Sequence, residues 1–281
     1  MSIMQASEHA THVAGSICLS VRDRVATIVI DNPAHRNALT AKMCRQLAEA
    51  ARAADVDPDV DVIVLRGAGS DFSAGAAIDE VLGVLYDGAS PSDAGLDVLS
   101  TADEALCAIR KPLVSVVRGV CMGGGWQIAA TADIIIAGSD SRLAVTPAKL
   151  GIVYPRRGLE RLVRWVGETR AKAILLTGDT IDAATAEQWG LVTETIPEDG
   201  VDHRLEALIS TLLSRSPFSA FSHKALVDAF VAVSSSRSSY DALWDAQWAQ
   251  VLTAGDLTEG RAAFLEKRRP AFPWRPDSRK N

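Results

Sequence analysis

The chain has 281 residues, of which 48% are apolar, and carries a formal net charge of −6 with a pI of about 5.4. This length suits one large domain, or a core with an appended helical part. The acidic balance argues against a general nucleic-acid-binding protein, because such proteins concentrate lysine and arginine. No apolar run is long enough to span a membrane, and the polar first fifteen residues lack the apolar segment of a signal peptide. We therefore expect a cytoplasmic protein.

The first elements are predicted from local patterns. Residues 1–14 are expected to form a flexible tail. Apolar and β-branched residues at 17–21 and 25–30 flank a polar turn, which predicts a β-hairpin. A helix is predicted over 40–54, with Thr40 as its N-cap, and a short buried strand over 62–65. Residues 86–95 are rich in turn formers and are expected to be mobile.

Strands and helices continue to alternate after this turn-rich segment. The predicted elements are a helix over 98–109 and strands over 114–117, 134–136 and 143–145. This alternation predicts an α/β fold with a mostly parallel sheet covered by helices. From about residue 158 onward the pattern is nearly all helical. We place a boundary at 196–201, which gives a core over 15–200 and a helical C-terminal region over 201–281.

The cysteine pattern predicts neither disulfides nor a metal site. The four cysteines are widely spaced, and each lies in an apolar or periodic segment: Cys18, Cys44, Cys107 and Cys121. We expect buried free thiols in a reducing compartment. The sequence contains no zinc motif and no Walker-type phosphate loop, so no metal is expected.

Three consecutive glycines, Gly123 to Gly125, are the most informative local feature. They lie between a predicted strand and a short alanine-rich helix, so a ligand can approach the backbone without meeting a β-carbon. The first N–H groups of that helix have no intrahelical partner and favour negative charge. A second glycine-containing turn, at 72–78, is expected to supply an opposing N–H group. Two converging backbone donors are typical of an oxyanion hole.

Six segments of the chain resemble, in order, the crotonase (enoyl-CoA hydratase/isomerase) superfamily. They are residues 32–39, 73–78, 123–125, 133–137, 183–192 and 264–270. The resemblance extends over about residues 16–272. It implies a crotonase spiral of repeated ββα units, with a helical C-terminal region that builds a homotrimer or a dimer of trimers.

The resemblance also implies roles for individual residues. The thioester oxygen would lie between the N–H groups of Ala76 and Gly124. Coenzyme A would be part of the substrate, and no covalently bound cofactor is expected. The residues implied in coenzyme A binding are Arg36, Ala38, Ala74, Ile78, Phe264 and Lys267. Lys267 would reach the nucleotide from a neighbouring subunit, with Phe264 beside the adenine; a surface charge at a helix end is the alternative for Arg36 and Lys267.

Both catalytic glutamates of family hydratases are missing. One position holds Gln127, and the other holds Pro147 or, with a one-residue gap, Ala148. Hydration of an enoyl thioester needs a base for water and an acid for the α-carbon. A hydratase or isomerase would therefore need a relocated group, such as Asp79, Glu80 or Glu160, each of which also reads as a solvated surface charge.

Decarboxylation requires less of the protein, because enolate stabilisation alone can drive the loss of CO₂. Residues 146–154 resemble the Thr-Pro-x-x-Leu-Gly-x-x-Tyr segment of methylmalonyl-CoA decarboxylases, whose tyrosine corresponds to Tyr154. Those enzymes carry His-Asp where this chain has Ala76 and Ala77, and glutamate where it has Gln127. Tyr154 either binds a carboxylate or is a packing residue. Gln127 either orients a polar group of the substrate through its amide or is a relic.

The sequence thus predicts an acyl-CoA enzyme that stabilises a thioester enolate, with decarboxylation of a malonyl-type thioester as the favoured reaction. A hydratase or isomerase with relocated acid-base groups is the first alternative. A catalytically silent coenzyme A-binding subunit is the second.

Overall fold

The structure is a computed structural model that describes residues 15–85, 97–232, 237–251 and 253–275. The predicted flexible tail at 1–14 and the predicted mobile segment at 86–95 lie outside these residues.

A six-stranded sheet forms the centre of the molecule. Its strands are Ser16–Arg22 (β1), Val25–Asp31 (β2), Val62–Gly67 (β3), Leu113–Val117 (β4), Ile134–Gly138 (β6) and Glu194–Ile196 (β9). They are ordered β1-β2-β3-β4-β6-β9. β1 and β2 form the predicted antiparallel hairpin, whereas every other neighbouring pair is parallel. The mostly parallel sheet is therefore confirmed.

A second, three-stranded sheet lies beside the first. It contains Val120–Met122 (β5), Arg142–Ala144 (β7) and Ile181–Asp182 (β8), in the order β5-β7-β8. The prediction that the chain is nearly all helical after residue 158 is wrong at β8 and β9. These strands have only two and three residues, too few for a period-two pattern, and they form because partner strands from earlier in the chain offer main-chain hydrogen bonds.

Eleven α-helices are described. They are Ala41–Val56 (α1), Val81–Leu85 (α2), Val98–Cys107 (α3), Gly124–Ala129 (α4), Pro147–Leu150 (α5), Arg156–Thr177 (α6), Ala183–Gln188 (α7), Val201–Leu213 (α8), Pro217–Ala232 (α9), Arg237–Gln250 (α10) and Asp256–Leu265 (α11). Thr40 caps α1 as predicted, since its hydroxyl accepts a hydrogen bond from the Met43 N–H at 3.2 Å. Within the described ranges, no helix combines the length and the hydropathy of a membrane span.

Helices cover both faces of the large sheet. On one face, inward side chains of β2 and β3 pack with α1 and α3 in the larger core cluster. On the other, Val62, Val64 and Val114 pack with Val201 and Leu205 of α8. Strand β3 is buried almost throughout, as expected for a parallel strand between two helical layers. The first helix of the predicted C-terminal region therefore belongs to the packing of the core.

One expectation about the cysteines is wrong. Cys44 and Cys121 are buried, but Cys107 is only partly buried and Cys18 is exposed. Cys18 lies on edge strand β1, whose outer part is exposed from Cys18 to Arg22. Edge position, rather than local hydrophobicity, decides its exposure.

Candidate active site

Two glycine turns are joined to each other by main-chain hydrogen bonds. The Ser73 N–H donates to the Val120 carbonyl, and the Met122 N–H donates to the Ser73 carbonyl, both at 2.9 Å. The turn at 72–78 is thereby fixed against the end of β5, just before the three glycines. The structure thus brings together the two segments from which the sequence predicted an oxyanion hole.

The two turns approach so closely that side chains would not fit. Gly75 has φ +94°, and a β-carbon built on it would lie 2.7 Å from the Met122 carbonyl oxygen and 3.3 Å from the Gly124 nitrogen. A β-carbon on Gly125 would lie 2.6 Å from the Ser73 carbonyl oxygen. The β-carbon position of Gly124 is 3.5 Å from the Ala76 nitrogen. The backbone N–H groups of Ala76 and Gly124 therefore lie close together.

These two N–H groups have no partner among the described residues, whereas their neighbours do. The Gly75 N–H donates to the Ser73 hydroxyl at 3.1 Å, and the Gly123 N–H donates to the Ala144 carbonyl at 2.8 Å. Gly124 is also the first residue of α4, where the helix dipole favours negative charge. Two unpaired donors in this position can stabilise a developing oxyanion.

Asn37 and Ser73, to which the sequence analysis assigned no role, hold the first turn in place. The buried Asn37 amide donates to the carbonyls of Ala68 and Asp71 at 2.8 and 2.7 Å. The Ser73 hydroxyl donates to the Asn37 carbonyl at 2.7 Å. The feature of the sequence that could have indicated this role is Asn37 itself. Asparagine tolerates the left-handed backbone conformation that Asn37 adopts here, with φ 56°.

An open cleft of about 650 Å³ leads to Ala76. Four of the six residues implied in coenzyme A binding line this cleft, namely Arg36, Ala38, Ala74 and Ile78. Its wall also includes His35, Lys42, Asp79 and Glu80. The cleft therefore combines cationic side chains with an apolar path beside Ala76.

The structure does not bring Phe264 and Lys267 to this cleft. Phe264, in α11, is 83% exposed. Lys267 lines a different groove, shared with residues of the β1–β2 hairpin and α8. Within one chain, neither side chain lines the cleft beside Ala76.

Tyr154 and Gln127 lie together in a narrow cavity between α4 and α6, rather than in the wall of the cleft. The Tyr154 hydroxyl donates to the Gly123 carbonyl at 3.3 Å, which places it beside the three consecutive glycines. Burial raises the pKa of Tyr154 above its usual value, with Arg161 opposing the shift, so the phenol is neutral. A β-carbon on Gly158 would lie 2.7 Å from the tyrosine ring and 3.2 Å from the Gln127 side-chain amide carbon.

The amide of Gln127 is an unusual buried group. The residue is fully buried, and neither Nε2 nor Oε1 has a hydrogen-bond partner among the described residues. Leaving a buried polar group unpaired costs about 1–3 kcal/mol. Such a group in a native fold calls for an explanation, and strain or a catalytic role is a common one.

The three carboxylates considered as relocated acid-base groups have different surroundings. Asp79 and Glu80 line the cleft; Glu80 accepts a hydrogen bond from the Ala41 N–H at 3.4 Å, whereas Asp79 has no partner within the described ranges. Glu160 pairs with Arg156 at 2.7 Å, and this hydrogen bond holds the pKa of the Glu160 carboxyl below its usual value. The described part of the chain contains no cluster of His, Cys, Asp and Glu able to hold a metal.

Comparisons with known proteins agree with this geometry. The profile of the enoyl-CoA hydratase/isomerase family matches residues 20–275. A probable enoyl-CoA hydratase of Mycobacterium leprae is 34% identical over 254 residues, 90% of this chain and 95% of that protein. The 2,3-dehydroadipyl-CoA hydratase of Escherichia coli is 31% identical, over 92% of this chain and 99% of that protein. A solved structure described as an enoyl-CoA hydratase/isomerase family member is 46% identical, with a TM-score of 0.89, and the match covers 95% of this chain and 100% of that chain.

Proposed function

The chain belongs to the enoyl-CoA hydratase/isomerase family of the crotonase superfamily, and we propose that it is an acyl-CoA lyase whose reaction passes through a thioester enolate. The observation that carries this proposal is the close approach of the Ala76 and Gly124 N–H groups, which have no partner among the described residues, beside the cleft that Ala76 lines. They would hold the thioester oxygen and stabilise the charge that develops on it.

Reversible hydration of an enoyl-CoA is the reaction that we favour. The narrow cavity that Tyr154 and Gln127 share has no room for a water molecule, so this preference rests on the relatives of the chain. Relatives described as hydratases support the same reaction.

Hydration requires an acid-base group that replaces the family glutamates. Gln127, Pro147 and Ala148 cannot transfer a proton at neutral pH. We propose Asp79 for this role, because its carboxylate lines the same cleft as Ala76 and has no partner among the described residues. As general base it would take a proton from water as the oxygen attacks the β-carbon and the enolate forms. The protonated carboxyl would then give that proton to the α-carbon, which returns Asp79 to the carboxylate and restores the thioester carbonyl.

Decarboxylation of a malonyl-type thioester is the second candidate. It is favoured by the neutral Gln127 beside the oxyanion turn and by the absence of acid-base chemistry at positions 147 and 148. Cleavage of the bond to CO₂ would leave its electron pair on the thioester as the enolate, and the same two N–H groups would stabilise it.

We further propose that coenzyme A lies along Arg36, Ala38, Ala74 and Ile78, and that Phe264 and Lys267 serve the cleft of a neighbouring subunit. The assembly would be a homotrimer or a dimer of trimers. The C-terminal helices expose several large apolar side chains, which is the kind of surface that an oligomer would cover. These side chains include Val227, Trp248, Leu257 and Leu265. Light scattering coupled to size-exclusion chromatography would measure its mass.

Mass spectrometry after incubation with crotonyl-CoA, and separately with methylmalonyl-CoA, tests the proposed reactions. Gain of water that falls at least tenfold in Asp79→Asn supports hydration, and loss of CO₂ that falls in Tyr154→Phe supports decarboxylation instead. Asp199→Asn is the matched control, because Asp199 is also the exposed middle residue of a three-residue 3₁₀ turn. If neither thioester reacts while coenzyme A still binds by calorimetry, the protein is a silent binding subunit or acts on another thioester.

A further inference from the structure

We infer that Arg161 is a positioning residue for the active site, which it controls by holding helix α4 at the end opposite the oxyanion donor Gly124. The inference rests on the proposed role of the Gly124 N–H. Arg161 lies in α6 and its carboxylate partner, Asp103, lies in α3. Neither residue belongs to a motif that was recognisable in the sequence.

One guanidinium group joins three helices. Its Nη1 and Nη2 donate to the two carboxylate oxygens of Asp103, at 2.9 and 2.8 Å. Nη1 also donates to the main-chain carbonyl of Gln127 in α4, at 3.2 Å. Nη2 also donates to the Cys107 thiol in α3, at 3.0 Å. Such a planar fork fixes direction as well as distance, which a single ammonium group does not do.

Burial makes this arrangement rigid. The Asp103 side chain is fully buried and that of Arg161 is 12% exposed. Burial raises the pKa of Cys107 to about 11, so a neutral thiol faces the pair and its two charges cancel. A buried ion pair adds little net stability compared with two well-packed apolar side chains. A contribution to stability therefore does not by itself explain why the Arg161–Asp103 ion pair lies against helix α4.

Helix α4 depends on external contacts for its position. It has six residues, too few to be stable by itself. Its first end is fixed by the hydrogen bond from the Gly123 N–H to the Ala144 carbonyl, at 2.8 Å. The Gln127 carbonyl is among the last four of the helix, which have no intrahelical partner, and Arg161 supplies a donor for it. Both ends of the helix are thus held.

A small shift of α4 would act directly on the oxyanion donors. The Gly124 β-carbon position is 3.5 Å from the Ala76 nitrogen and 3.1 Å from Leu99, so the space around this N–H is tightly bounded. A misplacement of about 1 Å at a reacting centre can reduce a rate about 100-fold. The guanidinium also sets the main chain of Gln127, from which the unpaired amide projects.

The test separates positioning from stability by replacing the whole pair. The double variant Asp103→Leu/Arg161→Met removes both charges and keeps an apolar contact, but leaves the Gln127 carbonyl without its donor. The matched control is Asp55→Leu/Arg110→Met, which removes a partly buried pair at 2.8 Å elsewhere in the core. Melting temperature, kcat and KM would be measured with whichever of crotonyl-CoA or methylmalonyl-CoA the wild type converts. Hydrogen exchange of residues 124–129 would be measured in the same proteins.

We expect the Asp103→Leu/Arg161→Met variant to have a melting temperature near that of the control variant. Its kcat should fall at least tenfold, while its KM stays within threefold of the wild-type value. Its α4 amides should exchange at least tenfold faster than in the wild type. An unchanged kcat together with unchanged exchange would overturn the inference. If this double variant does not fold, Arg161→Lys decides the question. Lysine keeps the charge beside Asp103 but lacks the fork that also reaches Gln127, so a wild-type kcat in Arg161→Lys would overturn the inference too. If the wild type converts neither thioester, the proposed function is contradicted. Faster exchange of α4 amides in the double variant would still support the role of Arg161 in holding this helix.

Discussion

Gly75 lies so close to the Met122 carbonyl that a β-carbon on Gly75 would stand 2.7 Å from its oxygen. Real β-carbons do not approach backbone atoms that closely, so any side chain here must separate the two turns. We expect Gly75→Ala to move the Ala76 N–H away from Gly124 and to lower kcat about 100-fold, the usual result of losing one oxyanion donor. Steady-state kinetics on the converted thioester would measure this loss.

Gly69→Ala is the control for backbone strain. Gly69 also has a positive φ, +68°, but a β-carbon there meets no atom within 4 Å. The control should lose about 1 kcal/mol of unfolding free energy while kcat stays near wild type. Equal loss of kcat in the two variants would contradict the proposed oxyanion site, because strain alone would then explain it.

Gln127→Glu is expected to raise the rate of crotonyl-CoA hydration about tenfold or more, because it returns a proton-transfer group to the oxyanion helix. Burial will raise the pKa of the new carboxyl group. The nearby Arg161 will not offset this rise, because its charge is already neutralised by Asp103. A rate that requires the carboxylate as base should therefore rise as the pH increases from 6 to 9. Gln188→Glu is the matched control, because it makes the same change at an exposed position of a helix. A hydration rate below wild type at every pH would count against the hydratase proposal.

Gly158→Ala should disturb the Tyr154 ring, because the added β-carbon would lie 2.7 Å from it. Overpacking of this kind costs about 1–3 kcal/mol. The reference is Gly83→Ala in α2, where the nearest atom is 3.9 Å away and alanine should stabilise the helix by about 0.5–1 kcal/mol. Denaturant unfolding would measure both free energies. A Gly158→Ala protein as stable as wild type would mean that Tyr154 is free to move.

Alkaline pH should weaken folding through the buried thiol of Cys44, whose pKa burial raises from 9.0 to about 12. The unfolded thiol ionises near pH 9 and the folded thiol near pH 12, so unfolding releases a proton between these values. The unfolding free energy should fall by up to about 1.4 kcal/mol per pH unit in that range. Below pH 9 this contribution is fully present. Denaturant titrations at pH 7.5 to 10.5 would measure the slope, and Cys44→Ala should make it shallower; an equal slope would assign the effect to other groups.

Much of the fold was predictable because its signals are local. Thr40 begins α1 through a hydrogen bond to a residue three positions away, and the β1–β2 hairpin follows from two adjacent apolar stretches. The three glycines predicted a close backbone approach, since positive φ and absent β-carbons are properties of the residues themselves. Each of these features depends on a few residues that are close in the sequence, so it can be recognised from the sequence alone.

The tertiary structure decided what depends on distant parts of the chain. β8 and β9 exist only because earlier strands accept them as partners, and Cys18 is exposed because its strand lies at an edge. Arg161 meets Asp103 across 58 positions, and no local pattern in either helix marks the pair. The sequence by itself determined that this chain makes a close backbone turn at its three glycines in an enoyl-CoA hydratase/isomerase fold. Folding decided which polar groups surround that turn, because side-chain pairing across separate helices is set by packing and not by sequence spacing.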